Sequence, residues 1–121
     1  MTIPDGANMD SEYLDMERLN ELNNTLSEEI ASIMSELRNA APRVLESMVS
    51  ALQHSDPAML IPPTHALRGM AGNTGLIRLE KECARLESRL RNNEVPDVRH
   101  AVSEIAITLG ASLSALSLHG Y

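Results

Sequence analysis

Four stretches of this chain repeat their apolar residues every three or four positions, and no stretch alternates them convincingly every two. Ile30, Ile33, Met34, Leu37, Leu45, Met48, Val49 and Leu52 make one stripe. Leu60, Leu67, Met70, Ala71 and Thr74 make a second, Leu79, Cys83, Leu86 and Leu90 a third, and Val98, Val102, Ile105, Leu109, Leu113 and Leu116 a fourth. That spacing collects side chains on one face of an α-helix, whereas a half-buried strand needs a period of two. Short connections force successive helices to run antiparallel. The pattern therefore predicts an all-α fold, an up-down antiparallel four-helix bundle. "LDMERLNEL" adds a short N-terminal helix, with Asp15 as its N-cap and Met16, Leu19 and Leu22 on one side.

The core of such a bundle must be aliphatic, because the chain has two tyrosines and no Trp or Phe. At 121 residues it is long enough for one domain with its own core. Residues 1–9 hold Pro, Asp, Gly and Asn without periodicity and are expected to be a disordered leader; the domain is expected over residues 10–121. The net charge of −7 argues against nucleic acid, which demands clustered Lys and Arg. "MTIPDGAN" lacks the basic and apolar regions of a signal peptide, and no uninterrupted apolar run approaches the roughly 18 residues of a membrane span. A cytoplasmic monomer without membrane contact is the expectation. One cysteine, Cys83, allows no internal disulfide.

Helix boundaries can also be read. Thr25 with Glu28 has the form of a capping box, and Ser27 is a second candidate cap. Pro42 should kink or briefly break the first long helix, since it donates no hydrogen bond and crowds the carbonyl of Arg38. In "HSDP", residues 54–57, Asp56 and Pro57 can start the next helix, and Gly75 can stop it in a left-handed conformation. "RNNEVPD" closes one helix and opens the last.

Within the second stripe lies "PPTHALRGMAGNTGL", where two prolines precede a histidine and three glycines follow it. On a helical wheel centred on His65, Leu60, Leu67, Met70, Ala71 and Thr74 fall on the far, core side. Ala58, Ile61, Pro62, Arg68, Gly69 and Gly72 fall within roughly 60° of it. His65 is thus expected to point outward among small, apolar and cationic neighbours. Two interior glycines sacrifice roughly 2 kcal/mol of helix propensity. A bare surface beside the imidazole, open to close approach by another protein, would account for that sacrifice. Pro62 and Pro63 imply either a kink or a late helix start.

"THALRGMAGNTGLIRLEKECARLESRLR", Thr64 to Arg91, resembles the signature of the histidine-containing phosphotransfer (HPt) domain family. That pattern runs His, an apolar residue two on, Lys, Gly, small residues, a second Gly and "LxxxCxxLE". His65, Leu67, Gly69, Gly75, Leu79, Cys83, Leu86 and Glu87 match it, over about a quarter of the chain; Arg68 stands where Lys is usual, keeping the charge. The resemblance implies a bacterial phosphorelay intermediate. It would accept a phosphoryl group on His65 from a receiver-domain aspartate and pass it to another receiver, without a kinase or ATP site of its own.

Arg68, one turn from His65, is a candidate phosphate-stabilising residue, and Arg91 is a second, since Glu87 and Arg91 lie on the following antiparallel helix at a distance past the Gly75 turn that could bring them near the level of His65. Arg91 also has an i,i+4 partner in Glu87, which competes with that role. Ile61, Pro62, Gly69 and Gly72 are the candidate receiver-docking surface. No carboxylate cluster surrounds His65, so no cofactor is expected here and Mg²⁺ is expected on the receiver. His54, His100 and His119 share no ligand spacing, and no metal site is expected. Cys83 and the methionines at 34, 48 and 70 read as core. The rival reading is a helical adaptor that holds a signalling partner through the same surface without being phosphorylated.

Overall fold

A computed structural model describes residues 12–94 and 97–121. Among the described residues five α-helices are delimited: α1 Met16–Thr25, α2 Ile30–Ala51, α3 Ile61–Asn73, α4 Ile77–Arg91 and α5 Val98–Leu118. A 3₁₀ turn, Pro57–Leu60, precedes α3, and there is no strand among the described residues. The expected leader, residues 1–9, lies outside the described residues. So do Val95 and Pro96 of the expected link between the last two helices.

Helix α2 packs on α3, α3 on α4, α4 on α5, and α5 returns to α2. The four stripes meet in one aliphatic core. Met34, Leu37, Met48, Leu67, Leu79, Cys83, Leu86, Leu90, Val102, Ile105, Leu109 and Leu116 are all buried. Ala41 joins them, whereas Val49, placed on the stripe by spacing alone, is 48% exposed. The stripe of α2 is thus narrower than its apolar residues suggest.

Helix α5 is long and apolar enough, by length and composition, to cross a membrane. The absence of a long unbroken apolar run hid this, because Glu104 and, after it, Thr, Gly and Ser interrupt the sequence while adding little charge. In the structure its apolar stripe faces α2 and α4, and Arg38 ties it to α2 by hydrogen bonds to the Leu113 carbonyl and Ser117 Oγ.

The boundaries of α1 and α2 differ from expectation. Asp15 caps α1 as its sequence implies, accepting the Arg18 N–H at 3.1 Å. Thr25, however, is the last residue of α1, so its capping box with Glu28 does not form. Ser27 lies in the intervening turn, and α2 starts after Glu29 with no side-chain cap. Leu22 and its neighbours extend α1 far enough to consume the cap. Pro42 does not break α2, which runs unbroken from Ile30 to Ala51. Pro42 faces solvent, where water can satisfy the Arg38 carbonyl that it leaves without a donor.

Helix α3 starts late rather than at Pro57. Asp56 caps the 3₁₀ turn by accepting the Ala58 N–H at 3.0 Å, and regular helix begins at Ile61. Pro62 and Pro63 then occupy the first turn, where a missing N–H costs nothing. Gly75 stops α3 with φ +77°, as expected. The turn it makes also seats α1. The Gly75 carbonyl accepts the Asp15 N–H at 2.8 Å, and a Cβ there would press on Leu19 and the Asp15 carbonyl. Arg78 on α4 adds a clamp by pairing with Glu12 and lying over the Tyr13 ring.

Candidate functional site

Leu67 and Ala71 are fully buried and fix the rotation of α3 about its axis. That rotation turns His65 outward, as the wheel predicts, with 64% of its side chain exposed. Helix α4 follows after the Gly75 turn and packs along α3. The turn sets the register between them and brings Glu87 to the level of His65. Glu87 Oε2 lies 2.9 Å from His65 Nδ1.

Glu87 is the centre of the arrangement. Its side chain is only 4% exposed, so as a lone carboxylate it would be costly. It is not alone. Arg91 brings Nε and Nη2 to 2.8 Å from Oε2, and Arg68 donates through Nη1 to Oε1 at 3.1 Å. Burial pushes the Glu87 pKa up; the hydrogen bonds from Arg91, Arg68 and His65 outweigh burial and hold it below its ordinary value. Glu87 is therefore ionised at neutral pH and can only accept hydrogen bonds.

This decides the chemistry of His65. An acceptor-only oxygen on Nδ1 requires Nδ1 to carry the proton, so the lone pair of a neutral ring sits on Nε2. Nε2 is the nitrogen farther from the backbone, on a ring that is mostly in solvent.

Arg68 and Arg91 do converge near His65, but each is already bonded to Glu87. A guanidinium has five N–H donors. With the side chains 45% and 55% exposed, both retain donors facing solvent. Spacing identified the two arginines but not their shared anchor. Glu87 figured as a motif match, as an i,i+4 partner of Arg91 and, with Arg91, as a residue whose distance past the Gly75 turn could bring it near the level of His65; its bond to the ring depends on the register of two helices.

The expected bare surface is half present. Ile61 is partly buried, Pro62 is exposed, and a Cβ added at Gly69 would meet nothing within 4 Å. Gly72 is not bare. Glu80 reaches across from α4, and a Cβ on Gly72 would come within 2.7 Å of its Oε2. Arg18 of α1 covers the same spot, donating to the Gly72 carbonyl at 2.8 Å. A wheel drawn for α3 alone cannot show that a glycine is covered from two other helices. Arg18, His65, Arg68, Gly69, Gly72, Asn73 and Glu80 line a shallow depression of about 300 Å³.

Cys83 is fully buried on the core side of α4, and burial pushes its thiol up to about 12. It is core, as its position on the stripe implies. His100 lies on a solvated face beside Glu104, 3.4 Å away, and far in sequence from this site.

No curated protein shows significant sequence similarity to the chain. Among solved structures, histidine-containing phosphotransfer protein B (HptB) from Pseudomonas aeruginosa PAO1 is similar in fold, with a TM-score of 0.80 and 21% identity. The match covers 90% of this chain and 96% of that one. The Hpt domain family matches residues 16–117, which contain every helix from α1 to all but the last residue of α5 and the whole His65–Glu87 arrangement. An exposed, oriented imidazole on an all-helical scaffold and a family match across most of the sequence lead to one assignment: the chain belongs to the Hpt domain family.

Proposed function

We propose that this protein is a phosphorelay carrier that receives a phosphoryl group on Nε2 of His65 from the aspartate of one receiver domain and delivers it to another. The observation that carries this is the 2.9 Å contact between His65 Nδ1 and the buried, ionised Glu87, on a ring otherwise open to solvent. It fixes the tautomer and aims the free lone pair outward. The working unit is residues 10–121, folded as an up-down four-helix bundle, acting as a monomer in the cytoplasm.

In the forward step the Nε2 lone pair attacks the phosphorus of an aspartyl phosphate in line with the breaking bond. The Nε2–P bond forms as the P–O bond to the aspartate breaks, and the carboxylate leaves with the electron pair. The proton on Nδ1 stays where it is. The ring gains positive charge, which the Glu87 carboxylate stabilises across the Nδ1–H bond. The remaining donors of Arg68 and Arg91 can meet the equatorial phosphoryl oxygens. Delivery is the same step reversed toward a second aspartate. Glu87 is committed to three side chains and is not available to a metal, so the receiver supplies Mg²⁺.

Docking is assigned to the bare face around Ile61, Pro62 and Gly69. The test is incubation with receiver domains charged by acetyl phosphate, comparing the wild type with His65→Gln. Acid-labile, base-stable label on the wild type alone is expected. Stable receiver binding with no label on His65 would instead establish the adaptor reading.

A further inference from the structure

The depression beside His65 has a wall that neither the sequence pattern nor the phosphoryl chemistry requires. Arg18 comes from α1, outside the α3–α4 pair that holds His65, Arg68, Arg91 and Glu87. Its guanidinium is pinned over α3 by one hydrogen bond, Nη1 to the Gly72 carbonyl at 2.8 Å, and the residue is exposed. That bond uses one of five donors. Gly72 is seven residues from His65, about 10 Å along the helix. Arg18 is therefore anchored about two turns along α3 from His65, on the same depression and within the footprint of any protein that delivers a phosphoryl group.

We infer that Arg18 is a partner-reading residue, which contacts acidic side chains on the receiver around its phosphorylated aspartate. The inference rests on the carrier reading above. A donor that presents an aspartyl phosphate with bound Mg²⁺ must surround it with oxygen ligands, carboxylates among them. This chain has a net charge of −7, so this acidic surface must dock on an acidic protein. Arg68 and Arg91 are partly neutralised by Glu87, whereas Arg18 is held by a neutral carbonyl and, although Glu80 lines the same depression, makes no ion pair among the described residues. Charge at a rim of this kind acts on encounter and register more than on the chemical step. Helix α1 is thus part of the docking face, and Gly72 is the small residue that lets Arg18 and Glu80 lie over α3.

The experiment uses a panel of receiver domains charged with acetyl phosphate, followed by full kinetics with the one that labels wild type fastest. Phosphoramidate, which phosphorylates histidine without a protein partner, reports on His65 alone. Arg18→Glu is expected to raise the KM for the phosphorylated receiver about tenfold, with kcat and phosphoramidate labelling unchanged. Arg18→Lys is expected to restore most of the loss, and the difference from wild type to shrink in high salt. A KM for Arg18→Glu within twofold of wild type would overturn the inference. So would an equal loss with phosphoramidate, since Arg18 would then be acting on His65 or on folding; thermal melting of Arg18→Glu and Arg18→Gln separates those two. A wild type that no receiver labels on His65 would remove the carrier reading and Arg18 with it. Normal labelling with an unaffected Arg18→Glu would remove Arg18 alone.

Discussion

Glu87 loses its hydration and recovers it in four contacts from three side chains, and the consequence falls on an atom it does not touch. Its acceptor-only oxygen holds the proton on Nδ1 of His65 and leaves Nε2 basic. Nitrogen-15 spectra of the ring are therefore expected to show the Nδ1–H form dominating the neutral imidazole. In Glu87→Ala the ring should drift toward the Nε2–H form that free histidine prefers, and phosphoryl transfer should slow by roughly 10- to 100-fold, by analogy with the loss when the partner orienting a metal-ligating histidine is removed. An unchanged ring spectrum in that variant would show that Glu87 does not set the tautomer. The same carboxylate makes a pH-dependent contribution to stability. Its folded pKa is lowered, so its contribution is complete above the unfolded carboxylate value of about 4.3. The contribution is lost as pH falls from there through the lowered folded value. Melting temperatures of wild type and Glu87→Gln should differ most at neutral pH and converge in that acid range.

At the level of the helix, α3 gives up propensity at two glycines for two different reasons. Gly69 faces open space, so Gly69→Ala is expected to raise stability by about 1 kcal/mol. Gly72→Ala should gain less, because its methyl group must displace the Glu80 carboxylate. Gly69→Trp should remain folded and fail to exchange phosphate with receivers. Denaturant melts of the two alanine variants and transfer assays on the tryptophan variant check these outcomes. The contrast also shows how far the sequence can be read. The outward direction of His65 and the Gly75 stop follow from rules acting within one helix and were legible, and the late start of α3 was one of the two outcomes that Pro62 and Pro63 allowed. The capping box at Thr25 failed because a neighbouring helix grew through it. The covering of Gly72 and the bond from Glu87 to His65 depend on side chains that arrive from other helices. Periodicity fixes which face of a helix is buried, but not which residue of the next helix stands opposite. That second quantity is set by turn geometry and packing, here by Gly75 at φ +77°.

Across the whole molecule, the site is rigid because it stands on the back of the core. Leu67 lies fully buried two positions after His65, and Cys83 lies fully buried one turn before Glu87. The partners His65 and Glu87 are thus each anchored by a neighbour inside the ring of four helices. Cys83 is the only cysteine, with no exposed surface and a thiol pushed up to about 12, so it cannot react with a thiol reagent until the helices part. Its labelling rate in native buffer then equals the intrinsic thiol rate multiplied by the fraction of open molecules. Leu67→Ala removes a buried leucine at the centre of that ring and should cost about 2–5 kcal/mol. By the same conversion, labelling of Cys83 should accelerate about 30- to 5,000-fold, and denaturant melts should report the same free-energy difference. Labelling of the wild type at the rate of a free thiol would mean that α4 does not bury Cys83 and that Glu87 lacks the rigid footing that aims His65.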